Sequence, residues 1–484
     1  MKKWHEYLIL VVALLPLLFI NIKSSHDWGD DFAQYIHQAQ NILNNIPQDE
    51  TGYVFNENYF LGPQSYPVGF PIILAIVNLF SDGSIGAYNV CMSFFLFLFG
   101  VNVFMLFRRQ FSIWTAFIST ILIIYNPYFL NFKTEILSDL PFAVIVLLVI
   151  NLSFLPKNIT NSLMIGILIA FSIHIRSAGF ALLLAFVLVE FLNSPKQFIK
   201  QKTTLAFGTS FLVLFLLLRF VFSCNSSYAF DYDVNAIWFN GNDHLSDNLD
   251  KLLLFFQIEK EHYYKHIGFL MSAMFLAFSV LGLFADLVKG KLTILSVFVI
   301  IYFLMLFVFP HGNAGLRLLI PVIPILFYYS LIVLKNNVLN MNLPIVRVRF
   351  MAIAFVVLMS FSYYKSVSIL ISNQSAIVDG PYLPEAQQLF TEIKTKVTDT
   401  EVVAFYKPRA LALYTNKKSV ALSPDVGYTA IRKELKKFDV SFIAIDLNEG
   451  PKAEEFYLTG DSTVCKELFK NSRFKLYKVI NTNF

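Results

Sequence analysis

Two adjacent carboxylates, Asp30 and Asp31, follow the first apolar run of the chain. Acids beside a bilayer are costly to desolvate, so they usually have a chemical or structural task there. A carboxylate at this position could take the proton of an attacking hydroxyl group, as a general base does. The structural alternative is that one of them caps the amphipathic helix that follows, which places Tyr35 and Ala39 on one face. The residues alone leave both interpretations open.

A second acidic group lies in the segment Asn131–Pro141, which contains Lys133, Glu135 and Asp139. Glu135 and Asp139 are four residues apart, so one face of a helix can present both carboxylates. Asp139 directly precedes an apolar run, and its structural alternative is to cap that helix.

Basic side chains occur in two further turns. Arg176 follows His174 in a tight turn between two apolar runs, and Arg317 follows His311 before another. Arginine binds phosphate through paired hydrogen bonds, and both arginines could therefore hold a phosphate group. Taken alone, each arginine is better explained as an anchor of a helix end at the lipid headgroups. The occurrence of several acids and two arginines on one predicted side of a membrane favours a functional site.

The elements that must position these residues are membrane helices. Of the 484 residues, 56% are hydrophobic and only 15% are charged, whereas soluble domains carry about 25% charged residues. Apolar runs of about 20 residues recur along the chain and predict a polytopic membrane protein. The formal net charge of +5 is small. The basic residues lie mainly in short loops, where they indicate topology rather than a nucleic-acid partner.

The distribution of lysine and arginine predicts the orientation. Lys2 and Lys3 place the N-terminus in the cytoplasm, and every later basic loop then falls on the same side. About eleven spans result on a criterion of about 20 residues each. The predicted spans are Tyr7–Ile22, Ile85–Phe107, Ser112–Tyr125, Leu140–Leu155, Leu163–Ile175, Ala178–Leu192, Thr203–Phe222, Ile267–Val288, Leu292–Phe309, Leu318–Leu334 and Phe350–Ile371.

One apolar segment is too short to cross the bilayer as a helix. Pro71–Phe80 lies in the first outer loop, and the next span ends at Arg108 and Arg109, which should face the cytoplasm. This charge pattern is satisfied only if Pro71–Phe80 does not span. We therefore predict that it is an interfacial helix.

From Asn373 the composition becomes that of a soluble domain. We predict an all-α polytopic membrane domain of residues 1–372, with interfacial helices in its first outer loop, followed by a small extracytoplasmic α/β domain of residues 373–484. The content of β-branched and aromatic residues predicts the strands of that domain. The expected helices are Pro384–Val397 and Arg432–Phe438, and the expected strands are Glu401–Tyr406, Val420–Leu422, Val440–Ile445 and Phe474–Ile480.

Taken in order, these motifs resemble the membrane glycosyltransferases of the C superfamily, near the protein mannosyltransferases and the aminoarabinose lipid A transferases. Asp31, Tyr35 and Ala39 match the spacing of that family's first-loop motif, although Phe32 replaces the usual second acid and Asp30 precedes it. The spacing favours Asp31 over Asp30 as the base. The other matching elements are Glu135 with Asp139-Leu-Pro141, Arg176-Ser-Ala-Gly179 and Arg317-Leu-Leu-Ile-Pro321.

The resemblance covers roughly residues 1 to 370 and implies transfer of a sugar from a polyprenyl-phosphate donor to a lipid, glycan or protein acceptor at the outer face of the plasma membrane. It implies displacement with inversion, without a nucleotide. A divalent metal ion on Asp31, Glu135 or Asp139 is optional, because some relatives do without one. The implied catalytic residues are Asp31 and Asp30, and the implied substrate-binding residues are Tyr35, Glu135, Asp139, Lys133, Arg176, His311 and Arg317.

Two other functions compete with this interpretation. A polymerase or ligase of lipid-linked polysaccharide would share the lipid substrate, but does not predict paired acids directly after the first span. A lipid or sugar transporter would place its polar groups near the membrane midplane. The middle of most predicted spans carries almost no charge, which favours the transferase.

Overall fold

The structure is a computed structural model that describes residues 3–59, 61–196, 198–222, 250–253, 255–256, 262–290, 292–308, 315–340, 357, 363–423, 428–448 and 463–480. The chain divides into two compact units, which are described separately. The first unit comprises Met1–Ile22, Asn89–Val221 and Phe230–Gln374, and the second comprises Lys23–Tyr88, Phe222–Ala229 and Ser375–Phe484.

Helices dominate the described residues. They are α1 (Lys3–Leu14), α2 (Asp31–Leu43), α3 (Gly69–Leu79), α4 (Ile85–Phe107), α5 (Ile113–Ile124), α6 (Pro127–Phe132), α7 (Asp139–Ser153), α8 (Ile159–Ile175), α9 (Gly179–Asn193), α10 (Lys202–Val221), α11 (His262–Val288), α12 (Ile294–Val308), α13 (Ile323–Asn340), α14 (Pro384–Lys396), α15 (Pro408–Thr415) and α16 (Tyr428–Lys437). Short 3₁₀ helices follow α1 at Leu15–Leu18, precede α10 at Phe198–Lys200 and precede α13 at Gly315–Leu319.

The first unit is entirely helical in its described part, as the long apolar runs predict. Three of its helices are long and apolar enough to cross a membrane: Ile85–Phe107, Lys202–Val221 and Gly268–Val288. Seven of the other predicted spans coincide with helices or helical segments of fewer than about 20 residues, so the count of eleven stays a prediction. The span Phe350–Ile371 lies mostly outside the described residues, apart from a helical segment at 363–372.

The second unit combines the first outer loop with the C-terminal part of the chain. The predicted interfacial segment is the helix α3, whose 11 residues are too few to cross a bilayer. It packs against α2, and α2 also packs against α15. The exposed apolar side chains Ile76, Leu79 and Phe80 are suited to a lipid interface.

A six-stranded sheet forms the core of this unit. Its strands are β1 (Tyr53–Val54), β2 (Val402–Ala404), β3 (Lys418–Val420), β4 (Val440–Asp446), β5 (Cys465–Lys470) and β6 (Phe474–Val479). They lie in the order β1-β3-β2-β4-β6-β5. The first four are parallel and the last two are antiparallel to their neighbours. The α/β character of the C-terminal part is confirmed, because helices α15 and α16 make the crossovers that parallel strands require.

Four elements of this unit differ from the sequence-based expectations. The predicted strand Val420–Leu422 lies earlier, at Lys418–Val420. Helix α15, strand β5 and strand β1 were not predicted at all, and β1 belongs to the first outer loop rather than to the C-terminal segment. The division into domains 1–372 and 373–484 stays a prediction, while the compact unit itself takes in residues 23–88.

Candidate active site

Asp30 and Asp31 follow a tight turn at Asp27–Gly29, which two hydrogen bonds within the second unit hold in place. The Asp27 carboxylate accepts a hydrogen bond of 2.8 Å from the backbone N–H of Gly29, closing a turn directly before α2. Trp28 donates from its indole Nε1 to Asp379 at 3.1 Å. Any displacement of this turn would therefore break the hydrogen bond between Trp28 and Asp379.

The Trp28 ring is buried and is surrounded by aromatic rings of the C-terminal segment. Ring centroids of Phe390, Phe405, Tyr406 and Phe474 lie 5.8–6.3 Å from it, within the range in which aromatic pairs attract. This pocket holds the backbone just before the two acids.

Glycine 380 packs directly on the same turn. A Cβ atom built on Gly380 would overlap the carbonyl oxygen of His26 and would lie 2.9 Å from the Cα of Asp27. Any larger residue would therefore have to displace the segment that carries the acids.

Asp31 is the first residue of α2, and one of its carboxylate oxygens is held by two donors. Oδ1 accepts a hydrogen bond of 2.6 Å from the Tyr66 hydroxyl and one of 3.0 Å from Arg409 Nη1. The side chain of Asp31 is nevertheless 26% exposed. Bonds to charged groups are stronger than neutral ones, so the carboxylate has a defined orientation while it stays accessible.

Arg409 comes from the first turn of α15 and is completely buried. Its Nη2 donates to the carbonyl of Pro63 at 2.7 Å, and its guanidinium lies 4.7 Å from the Tyr53 ring and 5.0 Å from the Tyr66 ring. Burial by itself lowers the pKa of Arg409, but the neighbouring Tyr66 and the two aspartates outweigh it and raise the pKa overall. Arg409 is therefore a permanent positive charge behind Asp31.

Asp30 occupies the N-cap position of α2 but does not cap it, since its side chain makes no cap hydrogen bond. The capping interpretation is therefore wrong for Asp30. Its Oδ1 instead accepts from the backbone N–H of Ala410 at 3.2 Å, at the N-terminus of α15. Helix N-termini attract negative charge, which explains this contact.

The second carboxylate oxygen of Asp30 is buried and has no hydrogen-bond partner among the described residues. It lies 3.9 Å from Arg409 Nε. Burial raises the pKa of Asp30 to about 6, against the opposing effects of Arg409, Lys407 and the Ala410 N–H. Asp30 is thus buried, whereas the side chain of Asp31 is partly exposed.

Tyr35 was predicted as a substrate-binding residue. It is buried, and its ring stacks on Tyr66 with centroids 4.6 Å apart and meets Phe70 edge-on at 4.9 Å. In this position Tyr35 supports Tyr66, which in turn holds Asp31.

In the first unit, Asp139 and Arg176 form an ion pair. Arg176 Nη1 lies 2.8 Å from Asp139 Oδ1 and also donates to the Ser138 hydroxyl at 3.2 Å. Asp139 is the first residue of α7, and Arg176 directly follows α8. The structure therefore brings together two of the predicted residues, while leaving the Arg176 side chain 20% exposed.

The remaining predicted residues of the first unit have different surroundings. Lys133 is buried and donates from Nζ to the Ser93 hydroxyl at 2.6 Å, and burial lowers its pKa to about 7. Glu135 is half-buried, and Arg317 lies half-buried in the 3₁₀ helix Gly315–Leu319. His311 lies outside the described residues. Substrate contact by these residues stays a prediction.

Sequence analysis missed Arg409 and Tyr66. The signal for Arg409 was the run Lys407-Pro-Arg409 after a strand, where a proline in the first helical turn marks a helix start. Because the N-terminus of such a helix binds anions, this run could have suggested a carboxylate partner. Nothing in the spacing around Tyr66 indicates its partner.

The fold defines a class of protein. No protein-family model matches the chain, and no curated protein matches it in sequence. Its three-dimensional structure, however, matches solved membrane glycosyltransferases of the C superfamily over nearly its whole length. The predicted resemblance is therefore confirmed for the fold.

Two of these enzymes are particularly informative. ArnT from Cupriavidus metallidurans bound to undecaprenyl phosphate has a TM-score of 0.59 and 12% identity, covering 99% of this chain and 98% of that one. The Archaeoglobus fulgidus oligosaccharyltransferase has a TM-score of 0.54 and 13% identity, covering 92% and 70%. The archaeal enzyme, AglB, has also been solved with an inhibitory peptide and a dolichol-phosphate. At these identities the likeness establishes the fold alone.

Proposed function

We propose that this chain is an inverting glycosyltransferase. It moves a sugar from a polyprenyl-phosphate donor to a lipid, glycan or protein acceptor, and Asp31 is its general base. The observation that carries the proposal is the environment of Asp31, which has one oxygen held by Tyr66 and Arg409 while the side chain stays 26% exposed. The fold shared with ArnT bound to undecaprenyl phosphate supports the choice of donor.

The proposed step is a single displacement. Asp31 accepts the proton of the acceptor hydroxyl or amide as its oxygen or nitrogen attacks the anomeric carbon. The bond between that carbon and the donor phosphate oxygen breaks, and the lipid phosphate leaves with the electron pair. The anomeric configuration is inverted because attack and departure occur on opposite faces.

The leaving phosphate gains negative charge, which fixed cations would stabilise. We assign this task to Arg176 and Arg317. Arg176 is already paired with the carboxylate of Asp139 at 2.8 Å. That pair would keep the guanidinium oriented while its exposed part binds phosphate.

Two of the three predicted ligands of the optional divalent ion already bind an arginine. Asp31 is bound to Arg409, and Asp139 is bound to Arg176. An ion at either carboxylate would compete with a guanidinium, so the proposed step uses no metal. The Archaeoglobus enzyme has been solved with Zn and sulfate, which makes metal removal a worthwhile test.

The proposed location is the plasma membrane, with a cytoplasmic N-terminus and the C-terminal part outside. The test compares lipid-linked sugars and surface glycans of a deletion strain, its parent and a strain complemented with Asp31→Asn. A transferase predicts accumulated donor and one missing glycan residue in the deletion and Asp31→Asn strains. A polymerase or ligase would instead lose a whole polysaccharide chain, and a transporter would leave the donor on the cytoplasmic leaflet.

A further inference from the structure

The buried guanidinium of Arg409 is not part of the proposed chemical step, yet it contacts the residue that performs it. Arg409 Nη1 lies 3.0 Å from Asp31 Oδ1 and 3.0 Å from the Tyr66 hydroxyl, which itself lies 2.6 Å from the same carboxylate oxygen. Because arginine only donates, the tyrosine oxygen accepts from Arg409 and its proton points to Asp31. The three groups therefore form a closed triangle. Arg409 donates to both Tyr66 and Asp31, and Tyr66 donates to Asp31.

Arg409 has no freedom to act on a substrate directly. Its side chain has 0% exposure. Its Nη2 donates a hydrogen bond to the carbonyl of Pro63 in the first loop. The rings of Tyr53 and Tyr66 lie against the guanidinium. Its effect can reach the acceptor only through Asp31.

The same helix start contacts both acids of the first loop. Arg409 binds Asp31, and the N–H of the next residue, Ala410, donates to Asp30. Helix α15 follows β2 in the parallel part of the sheet, and in such folds anions bind at helix N-termini beside the carboxyl ends of strands. Here the acids of the first loop occupy that location.

We propose that Arg409 is a positioning residue for the general base Asp31, so that the C-terminal segment completes the active site through Arg409, together with Tyr66 of the first loop. This inference rests on the proposed function only for the role of Asp31. The triangle keeps one carboxylate oxygen fixed and places a permanent cation beside it. The charged and titratable groups around the triangle are Asp30, Tyr53, Tyr66, Lys407 and Arg409.

The test measures Asp31 without needing a substrate. A water-soluble carbodiimide reacts with protonated carboxyl groups, and mass spectrometry of the purified full chain gives the pH at which half of Asp31 is labelled. The variants are Arg409→Gln, Arg409→Lys and Tyr66→Phe. Lys417→Gln is the matched control, because Lys417 is a mostly buried cation of the same unit that pairs with Asp399 at 2.6 Å.

In Arg409→Gln the labelling midpoint should rise by about 1 to 3 pH units, since an adjacent cation favours the ionised carboxylate by that amount. Arg409→Lys keeps the charge and should shift the midpoint less, and Lys417→Gln should leave it unchanged. If Arg409→Gln fails to fold, Tyr66→Phe decides the question, because it removes one donor and should still raise the midpoint. A folded Arg409→Gln or Tyr66→Phe with the wild-type midpoint would overturn the inference.

The same variants are then assayed for transfer from undecaprenyl-phosphate-linked sugars. Loss of positioning should lower kcat by about 10²-fold for Arg409→Gln, with KM for the donor little changed. Partial recovery in Arg409→Lys would support the positioning role. If the wild type moves no sugar while the midpoint shift is present, the proposed function fails and the contact between Arg409 and Asp31 stands. If transfer is normal in Arg409→Gln, the positioning role fails and the transferase stands.

Discussion

Asp31 and Arg409 lie 378 residues apart in the chain and are joined by a hydrogen bond of 3.0 Å in the folded protein. Asp31 begins the helix after the first predicted span, and Arg409 lies in the first turn of α15, which follows strand β2 of the sheet. A first-loop acid is therefore not a solitary base at the membrane surface. Its orientation depends on a segment synthesised much later.

Replacing Asp31 by asparagine tests the base. Asp31→Asn keeps the size of the side chain but cannot take a proton at neutral pH, so kcat should fall by about 10² to 10⁴-fold. Asp30→Asn should reduce kcat far less, because Asp30 is buried against Ala410 and Arg409 rather than exposed. The measurement is single-turnover transfer in detergent. Full activity of Asp31→Asn together with an inactive Asp30→Asn would assign the base to Asp30.

Asp30 should make stability depend on pH. Its pKa is raised from 3.8 to about 6, so the folded state binds the proton more tightly than the unfolded state does. The resulting stabilisation is complete below pH 3.8 and is lost as the pH rises through about 6. The loss is on the order of 3 kcal/mol at about 1.4 kcal/mol per pKa unit.

The thermal midpoint in detergent, followed from pH 4 to pH 7, measures this effect. Asp30→Asn carries no titrating group, so its midpoint should fall less over that interval than the wild-type midpoint. Identical pH profiles for the two proteins would contradict the raised pKa of Asp30.

The pair of Arg176 and Asp139 separates stability from phosphate binding. Arg176→Gln leaves a carboxylate of 3% exposure without its cation, and breaking such a buried pair costs about 3–5 kcal/mol. Because 20% of the Arg176 side chain is exposed to solvent, which screens the ion pair, the cost should lie at or below the lower end of that range. The double variant Arg176→Gln with Asp139→Asn should recover much of the stability.

If Arg176 also binds the donor phosphate, the double variant should stay weak in donor use after its stability returns. Arg317→Gln should weaken donor use as well, because a neutral amide cannot replace a charge-assisted contact. The measurement is KM for an undecaprenyl-phosphate-linked sugar. Wild-type donor use in both proteins would identify the arginines as structural.

Metal removal tests the optional cation. Asp31 and Asp139 are each occupied by an arginine, so transfer should persist after dialysis against excess EDTA. Readdition of Mg²⁺, Mn²⁺ or Zn²⁺ should not raise the rate. Loss of activity on chelation, with recovery on one of these ions, would give the carboxylates a metal-binding role.

The orientation is tested by a fusion after Phe484. The one-sided distribution of lysine and arginine predicts a cytoplasmic N-terminus and an external C-terminus. A reporter that works only outside the cytoplasm should therefore be active. A silent but stably expressed fusion would contradict the predicted orientation of the C-terminus and the predicted number of spans.

The parts of the fold that were predictable are those governed by local patterns. Helices such as α4 and α10 follow from long apolar runs, and strand β4 follows from its run of β-branched and aromatic residues. Strand β1 has only two residues and exists because β3 offers it a partner. No local pattern reports such pairing.

The candidate site was predictable in the same limited sense. The position of Asp31 before an amphipathic helix marked it as a residue of interest, and the structure gives it defined partners. Those partners could not be read from the sequence, because an ion pair across the chain leaves no spacing rule. The capping prediction for Asp30 failed for the same reason, since the backbone N–H of Ala410 competes for its carboxylate.

Strand β1 also has a consequence for biosynthesis. It pairs with β3, and the nearby Asn56 side chain binds the carbonyl of Ala421, a residue 365 positions later. At about 5–20 residues per second, the ribosome needs roughly 20 to 70 s to make the intervening chain. Throughout that interval the first loop lacks its C-terminal partners, so that Trp28, Asp30 and Asp31 are without the contacts that they make in the folded protein. Nascent chains stalled before β2 should therefore be protease-sensitive in residues 23–88, and full-length chains should not.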